Sequence, residues 1–187
     1  MNRIDTAIPG VYILEPKVFG DDRGYFLETY NREIFAGLGI TTTFVQDNHS
    51  RSSNNVLRGL HYQLGRPQAK LVRVTTGEVF DVAVDVRRGS PTFGKWVGAR
   101  LSAENKRMMY IPEGFAHGFY VMTEIADFQY KCSDFYVPAE DRGLLYNDPA
   151  FEIAWPIPAG VAPTLSDKDR RHPTIETAPE GHLPAFQ

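Results

Sequence analysis

Two short stretches concentrate the groups able to move protons. Residues 46–50 read QDNHS and residues 57–63 read LRGLHYQ, the second placing one imidazole, His61, within a strand-like run. Side chains alternate along an extended strand, so Gly59, His61 and Gln63 point one way and Arg58, Leu60 and Tyr62 the other. An imidazole titrates near neutrality and suits general acid–base work, but a lone histidine is more often a hydrogen-bonded core or surface residue. Its neighbours must decide. A third stretch, 111–119 (IPEGFAHGF), carries His117 just after a Pro-Glu-Gly turn. Three further ionisable groups stand out: Lys70 opening a strand, Tyr130 within 126–132 (ADFQYKC), and Asp169 in the tail. Phe128, Tyr130 and Cys132 share a face of core character, which buries the hydroxyl and leaves it in need of a partner. Ser166 and Asp169 have capping-box spacing, so that carboxylate is as readily a helix cap as a catalytic group.

The elements that must position these groups are mainly strands. From Thr43 to Tyr136 short β runs alternate with Gly, Pro, Asn and Ser, which predicts an all-β sandwich or barrel. The clearest run is 70–86, turning at Gly77; Val82, Val84 and Val86 share one face and Asp81, Ala83 and Asp85 the other. A face carrying two carboxylates is expected to be solvated or to line a pocket. Helices are few and short: two turns from Asn31 to Leu38 ended by Gly39, a short turn capped by Ser102, and a helical signal over 166–171 before Pro173.

With 187 residues, the whole of 1–187 is expected to form one domain. Hydrophobic residues at 42% and charged residues at 23% are ordinary for a soluble protein, and no apolar run reaches the roughly 20 residues that span a bilayer. A net charge of -3 gives no electrostatic footprint for duplex nucleic acid, which binds mainly through clustered positive charge. The single cysteine, Cys132, cannot form an intrachain disulfide, and the first residues show no secretory signal, so the cytoplasm is the expected compartment.

The 111–119 stretch resembles the Pro-x-Gly-x-x-His signature of the cupin superfamily. That likeness implies a double-stranded β-helix, a jelly roll, with His117 pointing inward. Metal-binding cupins carry a His-x-His, because an ion needs three or four converging ligands. Here the matching residues are His61, Tyr62 and Gln63, and His172 and His182 fall in the Pro-rich tail. No bound metal is expected, which leaves acids, bases and hydrogen bonds.

Together the segments resemble the dTDP-4-dehydrorhamnose 3,5-epimerase family of deoxysugar biosynthesis. The matching stretches are 22–28 (DRGYFLE), 45–50 (VQDNHS), 57–63 (LRGLHYQ), 67–72 (PQAKLV), 77–85 (GEVFDVAVD), 90–94 (SPTFG), 111–119 (IPEGFAHGF), 130–134 (YKCSD), 146–149 (YNDP) and 165–169 (LSDKD). Phe135 stands where a Tyr is usual, Asn55 where a Gly is frequent, and the loop 64–67 is short.

The resemblance implies inversion of C3 and C5 of dTDP-4-dehydro-6-deoxy-D-glucose, without a cofactor. It makes His61 the general base, Asp169 its orienting partner, Tyr130 the acid on the opposite face and Lys70 the stabiliser of the enolate oxygen. It also implies that Arg23 and Arg58 meet the diphosphate, that Phe26, Glu28, Gln46 and Asn48 meet the thymidine, and that Tyr136 stacks on the base. Asp81 and His117 fall on other pocket positions. A homodimer that exchanges N-terminal strands is implied as well. Two alternatives keep the fold: an enzyme that inverts only C3 or only C5, and a non-catalytic sugar-binding module.

Overall fold

The computed structural model describes residues 1–186. The chain opens with β1 (Asn2–Asp5), β2 (Tyr12–Glu15), β3 (Val18–Asp21) and β4 (Gly24–Leu27), followed by the helix α1 (Arg32–Gly37). Next come β5 (Gln46–Ser53), β6 (Leu57–Gln63), β7 (Lys70–Thr76), β8 (Glu78–Asp85) and β9 (Trp96–Ser102). The last strands are β10 (Met108–Ile111), β11 (Phe115–Val121), β12 (Ile125–Cys132) and β13 (Asp141–Gly143).

Two antiparallel sheets face one another. One has the order β1-β2-β10-β7-β12-β5 and the other β13-β6-β11-β8-β9. From β5 onward the chain crosses between sheets at nearly every connection, which winds it into the expected cupin-like double-stranded β-helix. Val72, Val74, Met109 and Phe128 of the first sheet pack onto Val79, Ala83, Phe115 and Phe119 of the second. Outside the five-stranded sheet, Leu60, Tyr62, Val82, Val84 and Ala116 are covered by Leu144, Phe151 and Leu183 of the C-terminal tail.

Both faces of β8 are therefore buried, and this corrects the expectation for its carboxylates. Asp81 and Asp85 are fully buried, and each needs partners. Asp85 receives Arg87 Nη2 at 2.7 Å, Ser90 Oγ at 2.5 Å and Thr92 Oγ1 at 2.6 Å. Burial alone raises its pKa, but these hydrogen bonds prevail and hold it down at about 2. Asp81 pairs with a histidine, as described below.

The short helices match their signals. Asn31 caps α1, its Oδ1 accepting from Glu33 N at 3.0 Å and Ile34 N at 3.3 Å, and Gly39 leaves it at a φ of 83°. Phe35 is thereby buried on the outer face of the six-stranded sheet with Leu14, Leu71 and Met108. Ser102 closes a turn by accepting from Asn105 N at 2.9 Å. The tail signal becomes a single 3-10 turn, Asp169–Arg171. The ribbon of β3 and β4 pairs only with itself and exposes Val18, Phe19, Tyr25 and Phe26. No helix among the described residues is long and apolar enough to cross a membrane.

Candidate active site

A cavity of about 340 Å³ opens between the two sheets. Its walls are Gln46, Asn48 and Ser50 from β5, Arg58, His61 and Gln63 from β6, Lys70 from β7, His117 from β11 and Phe128 and Tyr130 from β12. Tyr136 and Asp141 stand at one side. The structure thus brings together eight of the thirteen expected site residues as lining, with Asp169 and Asp81 directly behind them.

The sheet register explains the convergence. His61 sits opposite His117 on one side and Gly143 on the other, while Tyr130 lies opposite Asn48 and Val72 in the facing sheet. Strict alternation along β6 predicts that Arg58 points away from His61, and here the structure differs: both line the cavity. The cause is Gly59, at a φ of 118°, where the pairing with β11 shifts register. A Cβ on Gly59 would lie 2.6 Å from Gly118 Cα and from His117 O, so only glycine lets the two strands approach this closely. Arg58 then fixes itself by donating from Nε to Ser52 Oγ at 3.0 Å.

His61 Nε2 lies 2.5 Å from Asp169 Oδ1, with the imidazole 35% exposed and the carboxylate 4% exposed. Burial pushes Asp169 up, but the adjacent His172 and the hydrogen bond from His61 outweigh it and hold the carboxyl well below the usual carboxylate range. The capping question resolves into two separate contacts. Ser166 Oγ accepts from Asp169 N at 3.1 Å, while the carboxylate itself goes to His61. Anionic Asp169 fixes His61 with N–H on Nε2, leaving Nδ1 free to accept a proton.

Tyr130 faces this dyad from the other sheet. Burial raises its hydroxyl pKa, and the group makes no hydrogen bond among the described residues. Lys70 is 8% exposed. Burial lowers its pKa, and Cys132, Asp141 and Asp81 nearby pull it back toward the charged form. His117 Nε2 meets Asp81 Oδ2 at 2.9 Å, and the second oxygen of Asp81 has no partner among the described residues. Burial raises the Asp81 pKa against the opposing pull of His117 and Lys70. Asp81 is therefore a support behind His117 and does not line the cavity.

One end of the cavity is built by side chains that hold one another. Gln46 Nε2 donates to Asn48 Oδ1 at 3.1 Å, and Gln46 Oε1 accepts from Tyr136 N at 2.9 Å. Tyr136 donates its hydroxyl to Asp141 Oδ2 at 2.9 Å, leaving its half-exposed ring presented at the mouth. Arg23, Phe26 and Glu28 are not brought to this cavity. Arg23 pairs with Asp21 at the tip of the β3–β4 ribbon, Phe26 is exposed there, and Glu28 accepts from Asn31 Nδ2 at 3.2 Å.

Sequence reasoning missed Ser50, Gln68, Asp141 and His172. Ser50 and Gln68 carried a period-two signal, each lying two residues from a chosen position on its segment, Asn48 and Lys70. Asp141 and His172 carried none, since a strand of only 3 residues and a Pro-rich tail deliver them.

This geometry has counterparts among known proteins. A sequence profile of the dTDP-4-dehydrorhamnose 3,5-epimerase family matches residues 5–177. The dTDP-4-dehydrorhamnose 3,5-epimerase of Pseudomonas aeruginosa is 61% identical over 172 residues, covering 91% of this chain and 94% of that one. The dTDP-6-deoxy-D-glucose-3,5-epimerase of Legionella pneumophila Philadelphia 1, solved in complex with dTDP-4-keto-L-rhamnose, superposes with a TM-score of 0.95 at 52% identity, covering 100% of this chain and 98% of the other. A 3'-monoepimerase from Streptomyces bikiniensis, solved with dTDP-quinovose, gives a TM-score of 0.90 at 36% identity over 97% of this chain and 92% of that one.

Proposed function

We propose that this chain, which belongs to the dTDP-4-dehydrorhamnose 3,5-epimerase family, inverts its substrate with His61 as base and Tyr130 as acid. It is an isomerase acting on a nucleotide sugar, converting dTDP-4-dehydro-6-deoxy-D-glucose to dTDP-4-dehydro-L-rhamnose by epimerisation at C3 and C5. One observation carries the residue roles. His61 stands on one sheet, backed by Asp169 from the 3-10 turn of the tail, and Tyr130 on the facing sheet, with the cavity between them.

Inversion needs that division. A proton leaves one face of the carbon and another arrives on the opposite face, so acid and base must stand on opposing walls. His61 Nδ1 takes the proton beside the ketone, and Asp169 stabilises the imidazolium that forms. Lys70, held in the cavity wall, donates to the C4 oxygen as it becomes an enolate. Tyr130 then protonates the carbon from the far side. His117, held by Asp81, lies beside His61 as a further donor to the sugar, and Arg58 faces the diphosphate with Gln46, Asn48 and Tyr136 toward the thymidine. Residues 1–187 act as one domain that uses no cofactor.

The ribbon supports a dimer. It carries Arg23, Phe26 and the neighbouring Glu28 away from their own cavity and exposes Phe19 and Tyr25. In a homodimer that exchanges N-terminal strands these residues complete the partner's nucleotide site and cover their apolar surface. The buried thiol of Cys132 accords with a reducing, cytoplasmic location.

Incubation with dTDP-4-dehydro-6-deoxyglucose in D₂O, followed by NMR, tests this reading. Deuterium is expected at both C3 and C5; its appearance at one carbon alone narrows the enzyme to a monoepimerase, and none at either refutes the assignment. His61→Asn is expected to abolish exchange while nucleotide affinity stays nearly intact, because the base acts on the transition state. Equal loss of binding makes His61 structural.

A further inference from the structure

Asp169 has a second imidazole beside it. His172 Nε2 stands 3.5 Å from Asp169 Oδ1, the oxygen already bonded to His61. The His172 side chain is 9% exposed, and its Nε2 has no hydrogen-bond partner among the described residues. Gly143 makes room for it, since a Cβ there would collide with the His172 ring. The two imidazoles meet edge to face with centroids 5.6 Å apart. Two ring nitrogens and a carboxylate oxygen therefore converge, all within 4.8 Å of one another. Among the described residues no other trio of potential ligands does so. A buried nitrogen without a partner is unusual enough to need a cause.

We propose that His61, Asp169 and His172 form a binding site for a zinc-class divalent ion, and that its occupancy switches the epimerase off. Two imidazoles and one carboxylate, each about 2.0–2.2 Å from the ion, make up a three-ligand zinc site with the fourth position left for water. Magnesium is a poor occupant, because it selects oxygen ligands and retains its own water.

The exchange is balanced. The proton on His61 Nε2 is relayed through solvent to Nδ1, so the ring stays neutral and no proton is lost, and the ion takes the Nε2 lone pairs of both histidines, His172 likewise keeping its proton on Nδ1, and an oxygen of Asp169. Nothing is oxidised or reduced. A neutral imidazole coordinated through Nε2 carries its one remaining proton on Nδ1, the nitrogen that otherwise accepts the sugar's proton. The base is then already protonated. The inhibitory half of this inference rests on His61 being the base; the binding half stands on geometry alone.

Cobalt(II) is the probe, because coordination at low symmetry gives it strong visible absorption. Chelator-treated protein titrated with cobalt is expected to develop that absorption at one ion per chain. Zinc is expected to bleach it and to stop turnover in parallel, while magnesium does neither. Turnover of His172→Gln with added zinc is referred to its own turnover in chelator, so that any basal change is separated from inhibition. Loss of a group that merely hydrogen-bonds a metal-bound side chain costs about 10- to 100-fold in metal affinity, so loss of this ligand is expected to weaken cobalt binding and zinc inhibition by more than about 100-fold. Absence of the visible band, a thiolate-to-cobalt band that places the ion on Cys132, or unchanged affinity in His172→Gln overturns the site and leaves the role of His61 untouched. Cobalt bound through His172 with turnover intact overturns the inhibition, and with it the assignment of His61 as base.

Discussion

Asp169→Asn separates the electrostatic role of this residue from its place in the backbone. The substitution keeps the shape of the side chain and the bond from Asp169 N to Ser166 Oγ, but removes the charge 2.5 Å from His61 Nε2. A hydrogen bond to a charged group contributes roughly 1.5–3 kcal/mol, equivalent to about 10- to 150-fold in kcat. The imidazole is 35% exposed, and screening draws the expected loss toward the lower half of that range. A second effect adds to it. The asparagine amide can donate to Nε2 and so leave the proton on Nδ1, the wrong tautomer; in a serine-protease triad that error costs about 10⁴-fold. The assay is steady-state kinetics with a melting curve on the same sample. We expect kcat to fall at least tenfold with KM little changed and melting shifted by only a few degrees. Ser166→Ala is the mirror experiment, removing the cap and leaving the carboxylate; a cap costs about 0.5–2 kcal/mol, so Tm is expected to drop by about 1–8 °C with kcat nearly unchanged. If Asp169→Asn lowers Tm by many degrees yet turns over normally below it, the carboxylate is a structural group and the dyad assignment is wrong.

Tyr130→Phe is expected to uncouple the two half-reactions: loss of a general acid costs about 10²–10⁴-fold in epimerisation, while His61 still exchanges substrate protons for deuterium without inversion. Equal losses in exchange and inversion would instead place Tyr130 in binding. Lys70→Met removes the donor to the developing oxyanion and is expected to lower kcat by about 10²–10³-fold, read by steady-state turnover. Gly59→Ala forces a Cβ to within 2.6 Å of His117 O at a φ of 118°, so the urea midpoint is expected to fall by an amount equivalent to about 2–6 kcal/mol. Asp85 is held down at about 2, so its stabilisation is present above the ordinary carboxylate pKa and is lost as pH falls through 2. Asp85→Asn is expected to cost about 2 kcal/mol at pH 7 and to flatten the loss of stability between pH 4 and pH 2, measured by denaturant titration at each pH.

Much of this was legible because period-two alternation survives wherever a strand is regular. The face shared by Phe128, Tyr130 and Cys132 is inward as expected, and Gln46, Asn48 and Ser50 line one wall together. The caps at Asn31 and Ser102 were legible for the same reason: each acts through its own side chain within three residues. Alternation misled at β8, where it separated the valines from the aspartates correctly but could not say that the tail covers the valine face. That burial comes from Leu144, Phe151 and Leu183, far along the chain. With both faces covered, the aspartates lie inside, Asp81 held by His117 and Asp85 by Arg87.

The direction of Arg58 and the use of His172 show what such a reading omits. Arg58 reaches the cavity because Gly59 breaks the alternation, and that break is required by the close approach of Gly118 on another strand. His172 looked like tail composition, yet the chain after β13 returns over the five-stranded sheet, and Gly143 opens a slot beside Asp169 for its ring. In both cases a glycine with no chemistry of its own decides which ionisable group joins the site. The reactive residues could be read by type; their company is set by where two backbones pass close enough to exclude a side chain. Substitutions at Gly59 and Gly143 should therefore change the chemistry as well as the stability, by moving Arg58 and His172 respectively.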